Sequence, residues 1–169
     1  MDLRKAKEKD LPQLRRIYED IVAEMKRNGV DLWNEFYPYE ALPGDIQADR
    51  LWLLCDGERI AAAFALERLP DSGDVKWQSP QAPAMTLMRL GVDPAYQHKG
   101  IGAECIAHAR DIARQQGCEF LRLFVVDINT PAERFYLKCG FVRGEGKHIE
   151  HIPDLCPEGL IEFGYEMRV

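Results

Sequence analysis

The chain has 169 residues, 46% of them hydrophobic and 30% charged, proportions that fit a single globular domain, residues 1–169, with its own core. Its net charge of −6 argues against a nucleic-acid partner and is compatible with a cationic amine. No long uncharged apolar run and no secretory pattern are seen, so neither a membrane span nor export is expected, and the expected location is cytoplasmic.

Leu3 to Lys7 predicts a first strand. Asp10-Leu11-Pro12-Gln13 reads as a helix start, with Asp10 as cap and Gln13 three residues on. Leu14, Ile17, Tyr18, Ile21, Val22 and Met25 form a helical apolar stripe, which Asn28-Gly29 stops. Residues 30–44, with Trp33, Phe36, Tyr37 and Tyr39, read as an aromatic loop, followed by a short helix over 45–50. Leu51–Cys55 and Arg59–Glu67 flank Asp56-Gly57, a hairpin signal. Residues 68–83 read as a loop, 85–92 as a strand, 99–116 as a helix and 119–126 as a strand. The helix buries Ile101, Cys105, Ala109, Ile112 and Ala113. After a short helix from Thr130, strands are expected near 141–147 and 161–168, with a loop over 152–159. The five cysteines, Cys55, Cys105, Cys118, Cys139 and Cys156, lack metal-ligand spacing and read as reduced core thiols.

The most informative stretch is Gln97-His98-Lys99-Gly100-Ile101-Gly102, between a hydrophobic strand and an amphipathic helix. A strand passing through a glycine loop into a helix exposes unpaired backbone N–H groups, and these suit phosphate oxygens. Lys99 adds a positive charge, and glycine lets the backbone approach a bulky diphosphate. Taken alone the loop is equally a ligand-free turn. It is not a dinucleotide fingerprint, since Cys105 stands at the third glycine position, and no Gly-Lys-Ser/Thr follows to make a P-loop.

A second block follows the strand at 119–126. Thr130 reads as an N-cap, Pro131 as the first helical residue, Glu133 as the partner in a capping box, and Gly140 as the left-handed residue after the helix. With both blocks in view, the chain resembles the Gcn5-related N-acetyltransferase (GNAT) superfamily, most strongly over residues 85–141. The family's acyl-CoA loop, Gln/Arg-x-x-Gly-x-Gly/Ala, is matched by Gln97, Gly100 and Gly102. Its second block, Asn-x-x-Ala-x-x-x-Tyr-x-x-x-Gly-Phe, is matched by Asn129, Ala132, Tyr136, Gly140 and Phe141.

The element order predicts a mixed α/β sandwich. The resemblance implies a single-domain mixed sheet with helices on both faces and central parallel strands, 85–92 and 119–126, that splay to admit acyl-CoA. It implies an acyl-CoA-dependent N-acyltransferase that passes acetyl from acetyl-CoA to a primary amine of a small molecule by direct attack. The acceptor is alternatively a protein N-terminus or a lysine, or the chain is a non-catalytic acyl-CoA sensor. The expected partners are acetyl-CoA, a small amine and, in a homodimer, a second copy of the chain; no metal is expected.

The resemblance assigns the cofactor to Gln97, His98, Lys99, Gly100, Ile101 and Gly102, and pantetheine to Leu90, Gly91 and Val92. Asn129 and Ala132 open the second cofactor helix, where Asn129 either contacts the cofactor or caps the turn. It makes Tyr136 the general acid toward the CoA sulfur. No carboxylate lies in 85–92, where some relatives keep one; Thr86 takes that position. The base therefore comes from elsewhere, with Glu35, Glu40, Glu67 and Glu150 as candidates. Glu35 ranks first, because Trp33, Phe36 and Tyr37 surround it and apolar neighbours raise a carboxyl pKa. Those three aromatics are the candidate acceptor wall, or equally a cap over the core. His98, His148 and His151 read as solvated side chains.

Overall fold

The computed structural model describes residues 1–33, 37–71, 73–152 and 156–169. In chain order the elements are β1 (Asp2–Lys5), a 3-10 turn (Glu8–Asp10), α1 (Leu11–Arg27), α2 (Ala41–Gln47), β2 (Leu51–Asp56), β3 (Arg59–Glu67) and β4 (Val75–Lys76). There follow β5 (Ala84–Val92), a 3-10 turn (Pro94–Tyr96), α3 (Ile101–Gln115), β6 (Phe120–Val126), α4 (Thr130–Lys138), β7 (Val142–Arg143), β8 (Glu145–Gly146), β9 (His148–Ile152) and β10 (Cys156–Arg168). The chain is an α/β fold built on a mixed sheet of parallel and antiparallel strands, as expected. It divides into two compact units, Met1–Glu67 with Leu87–Ala109, and Arg68–Thr86 with Arg110–Val169.

In the first unit β1, β2 and β3 form an antiparallel ladder, with Leu3 opposite Leu54 and Leu53 opposite Ala63. The apolar stripe of α1 packs on it: Leu14, Ile17, Tyr18 and Ile21 join Leu42, Leu51, Leu53, Ile60 and Ala63 in one buried cluster. Spacing of three and four along a helix places those α1 residues on one face, which is why the stripe is the buried side. Gly29, at φ 76, ends the helix in the left-handed conformation expected there. Asp10, however, makes no side-chain bond to the start of α1; its carboxylate takes two bonds from Arg4, at 2.7 and 2.8 Å, and one from the Lys7 amide at 2.8 Å. The second helix also begins earlier than 45–50. Pro43 lies in its first turn, where a missing N–H costs nothing, so the Pro-Gly pair does not block it.

In the second unit the start of β5 runs parallel to β6, with Ala84 opposite Phe120 and Thr86 opposite Arg122. β10 runs antiparallel to β6, and it also pairs with β7 and β9. β4 and β8 form a separate two-residue ladder inside the stretches read as loop and single strand. Alternation along β10 separates its faces. Tyr165 bonds Glu133 of α4 at 2.6 Å, while the alternate residue Gly164 leaves room for Trp77, whose ring a Cβ there would meet at 2.6 Å.

Candidate active site

The loop expected to meet the cofactor, residues 97–102, belongs to the first unit. Asp93 follows β5, and its carboxylate accepts from the Ala95 amide at 2.8 Å, starting the 3-10 turn. The amide of Asp93 is bonded to the Ala61 carbonyl of β3 at 2.9 Å, so the loop leaves the sheet at a fixed point. Gln97 reaches back to the Val92 carbonyl at 3.3 Å, and Tyr96 is buried with its hydroxyl on Asp56 at 3.0 Å. His98 and Gly100 both take positive φ, 59 and 83. Gly100 is exposed, and a Cβ built there meets nothing within 4 Å. Glycine is therefore required by the backbone angle, and the space above it is open. The first hydrogen bond of α3 runs from the Glu104 amide to the Gly100 carbonyl, 3.0 Å, so the amides of 101–103 have no intrahelical partner. Lys99 folds back onto the Ala95 carbonyl at 2.8 Å and lies over the Tyr96 ring, keeping its charge beside the loop.

Upstream, β5 is kinked. Arg89 has φ 52, a left-handed angle in the middle of a strand. Its carbonyl accepts the Tyr18 hydroxyl at 2.6 Å, and its guanidinium makes two 2.7 Å bonds to Asp45, which is fully buried and also holds Arg50 at 2.6 Å. Burial alone would pull the Arg89 pKa down, but charge and hydrogen bonding with Tyr37 and Asp45 hold it above its usual value. The Trp33 ring lies tilted against Tyr18, centroids 5.6 Å apart, and edge-to-face with Tyr37 at 6.2 Å. Of the expected acceptor-wall residues, Tyr37 thus meets Arg89 at the kink that precedes Leu90, Gly91 and Val92, and Trp33 lies against Tyr18 and Tyr37. Phe36 and Glu35 lie outside the described residues.

The second block belongs to the second unit. Asn129, not Thr130, caps α4: its side chain accepts the Ala132 amide at 3.3 Å, and its own amide is bonded to the Val126 carbonyl at 2.8 Å. Thr130 is therefore the first helical residue and Pro131 the second. Glu133 closes no capping box, since its carboxylate accepts the Tyr165 hydroxyl. Gly140 takes φ 95, the expected left-handed close. α4 buries none of its residues fully. Tyr136 is half-buried, with its ring 5.1 Å from Phe135 and 5.6 Å from Phe141.

Of the other carboxylates, Glu40 is exposed and Glu67 is paired with Arg50 at 2.5 Å. Glu150 meets His148 Nε2 at 3.0 Å, while Asp74 holds Nδ1 of the same ring at 2.8 Å. His148 is thus a held side chain rather than a solvated one. Cross-strand from it stands Glu162, which composition and spacing did not single out. Donor atoms of His148, Glu150 and Glu162 lie within 4.8 Å of one another.

Burial first and Glu150 second push the Glu162 carboxyl up to about 7, against the opposing His148. The folded chain then keeps a proton that the unfolded chain releases above its ordinary value of 4.5, so this contribution to stability falls as pH rises between those values. His148 is raised too, chiefly by its hydrogen bond to Asp74, and the stability it adds is lost as pH rises through its folded value. Melting temperature is expected to drop from pH 5 to pH 8, and less steeply in Glu162→Gln. Equal slopes in the two proteins would refute the assignment to Glu162.

A sequence model of the acetyltransferase (GNAT) family matches residues 14–141. Streptothricin acetyltransferase of Streptomyces lavendulae is 32% identical over 85 residues, which are 43% of this chain and 45% of that protein. The match therefore spans less than half of that relative's length. A GNAT-family acetyltransferase from Streptococcus agalactiae superposes with a TM-score of 0.80 at 17% identity, over 99% of this chain and 95% of its own. A Salmonella typhimurium acetyltransferase candidate, solved with its cofactor acetyl-CoA, superposes with a TM-score of 0.68 at 15% identity, over 99% and 93%. Among the described residues no helix is long and apolar enough to cross a membrane.

Proposed function

Because the chain belongs to the acetyltransferase (GNAT) family, we propose that it transfers the acetyl group of acetyl-CoA to a primary amine of a small molecule, by direct attack in a ternary complex. The observation that carries the reading is the loop before α3. It joins a left-handed glycine, open space above it, the helix-end amides of 101–103 and the nearby charge of Lys99. An anionic diphosphate needs that combination. The partial likeness to streptothricin acetyltransferase supports the small-molecule acceptor.

In this reading residues Gln97 to Gly102 hold the diphosphate, and Leu90, Gly91 and Val92 pair with the pantetheine amides, which need partners once out of water. The Leu90 N–H faces the thioester oxygen and stabilises the charge that develops there. The amine lone pair attacks the carbonyl carbon, the C–S bond breaks, and Tyr136 protonates the departing sulfur. Asn129 keeps α4 in register through its cap, with Ala132 behind it. Trp33, Phe36 and Tyr37 form the acceptor wall. The amine's proton goes to a carboxylate, with Glu35 as the first candidate. Direct attack is favoured over an acyl-enzyme because burial raises the Cys139 thiol above its ordinary pKa, which lowers its thiolate fraction.

Calorimetry with acetyl-CoA, followed by thiol release across small amines, peptide N-termini and lysine peptides, tests the reading. Binding with release for small amines is expected. Release only with peptides would move the acceptor to proteins, and binding without release for any amine would make the chain a sensor.

A further inference from the structure

The peptide between Arg89 and Leu90 is gripped at its carbonyl end. A peptide unit is planar and trans, so its C=O and its N–H point in opposite directions, and fixing one fixes the other. The carbonyl of this unit is that of Arg89, bonded to the Tyr18 hydroxyl at 2.6 Å. Its N–H is that of Leu90. We propose that Tyr18 is a positioning residue for the transfer step: by bonding the Arg89 carbonyl it aims the Leu90 N–H at the thioester oxygen and strengthens it as a donor. The inference rests on the reading of Leu90 given above.

Three observations support it. Tyr18 is fully buried on α1, and burial raises its phenol far above the ordinary range, so it stays a proton donor at every working pH. The ring has a place made for it, since a Cβ on Gly91 would stand 2.8 Å from Tyr18 Cε1 and 2.9 Å from Ile21 Cδ1. The unit it grips follows a non-glycine residue at φ 52, a conformation that persists only where its surroundings impose it. Asp45 supplies the other restraint, through its two bonds to the Arg89 guanidinium. Hydrogen bonds in series polarise one another, so a donor on the carbonyl makes the amide N–H the stronger partner for a developing oxyanion.

Tyr18→Phe keeps the ring and removes only the hydroxyl. In the full chain with acetyl-CoA and an accepted amine, kcat is expected to fall about 10-fold, less than loss of an oxyanion donor itself, with KM for acetyl-CoA within about twofold. Infrared difference spectra of bound acetyl-CoA, labelled with 13C at the thioester carbonyl, report the donor directly. The wild-type band should lie below that of free acetyl-CoA, and the band in Tyr18→Phe should move back toward it. Asp45→Asn, which loosens the same unit from the side chain, should move both readouts the same way and serves if Tyr18→Phe folds poorly. Wild-type kcat and an unmoved band in the variants would overturn the inference alone, as would a raised KM at unchanged kcat. Failure of the wild-type chain to bind acetyl-CoA would overturn the proposed function with it.

Discussion

Replacing Tyr136 with phenylalanine is expected to lower kcat by about 100-fold, with KM for acetyl-CoA changed less than about threefold. The size follows from the chemistry of the leaving group. Positioned proton transfer contributes roughly 10²–10⁴. A departing thiolate, with an ordinary thiol pKa near 8.5, needs its proton less urgently than an alkoxide would, so the lower end applies. Phenylalanine keeps the ring that packs 5.1 Å from Phe135 and 5.6 Å from Phe141, so α4 should remain folded. Acetyl thioesters of more acidic thiols separate the acid role from a packing role. Their sulfur leaves without help, so the penalty of the variant should shrink as the thiol becomes more acidic. A penalty of the same size for every thioester would mean that the hydroxyl acts on something other than the leaving sulfur.

Much of this architecture is legible in local residue patterns, and what is not has a common cause. The α1 stripe, the left-handed Gly29 and Gly140, and the β2–β3 hairpin are each decided by residues within one or two turns of chain. Their expected and observed forms agree. The cap of α4 shifts by one residue because Asn129 and Thr130 are both competent caps. The choice falls to Asn129, whose amide is already tied to Val126 at the end of β6. β4 and β8 are two residues long, too short for any periodicity to register. The restraints on the kink are the least visible of all. Tyr18 reads as one member of a helix stripe, and Asp45 as the start of a short helix. Their bonds to Arg89 cross 71 and 44 residues of sequence. Glu162 likewise owes its raised pKa to burial in the folded sheet first and to Glu150 of β9 second, and neither is set by residues adjacent in sequence. Motif spacing points to the loop proposed to hold the cofactor, whereas the shape of the strand before it depends on long-range contacts.

Asp45→Ala tests the largest of those contacts, and it is expected to destabilise the chain by about 3–5 kcal/mol, the range for a buried ion pair that loses one partner. Asp45 is fully buried and the Arg89 side chain is only 9% exposed, so the guanidinium would be left charged and without its two 2.7 Å bonds. For a chain of this size that corresponds to a drop in melting temperature of about 6–20 °C. Arg50 contributes less to the loss, because it keeps Glu67 at 2.5 Å. The second variant is Asp45→Ala with Arg89→Met. Removing both charges leaves no stranded cation, and replacing a buried pair by apolar side chains is often close to neutral, so most of the lost stability should return. Activity should not return fully with it, because the introduced methionine keeps the Tyr18 bond to its carbonyl but lacks the side-chain tether that helps hold the left-handed angle ahead of Leu90. A double variant as unstable as Asp45→Ala would show that the cost lies in the cavity rather than in the stranded charge. A stable double variant with wild-type kcat would show that the kink holds without the ion pair.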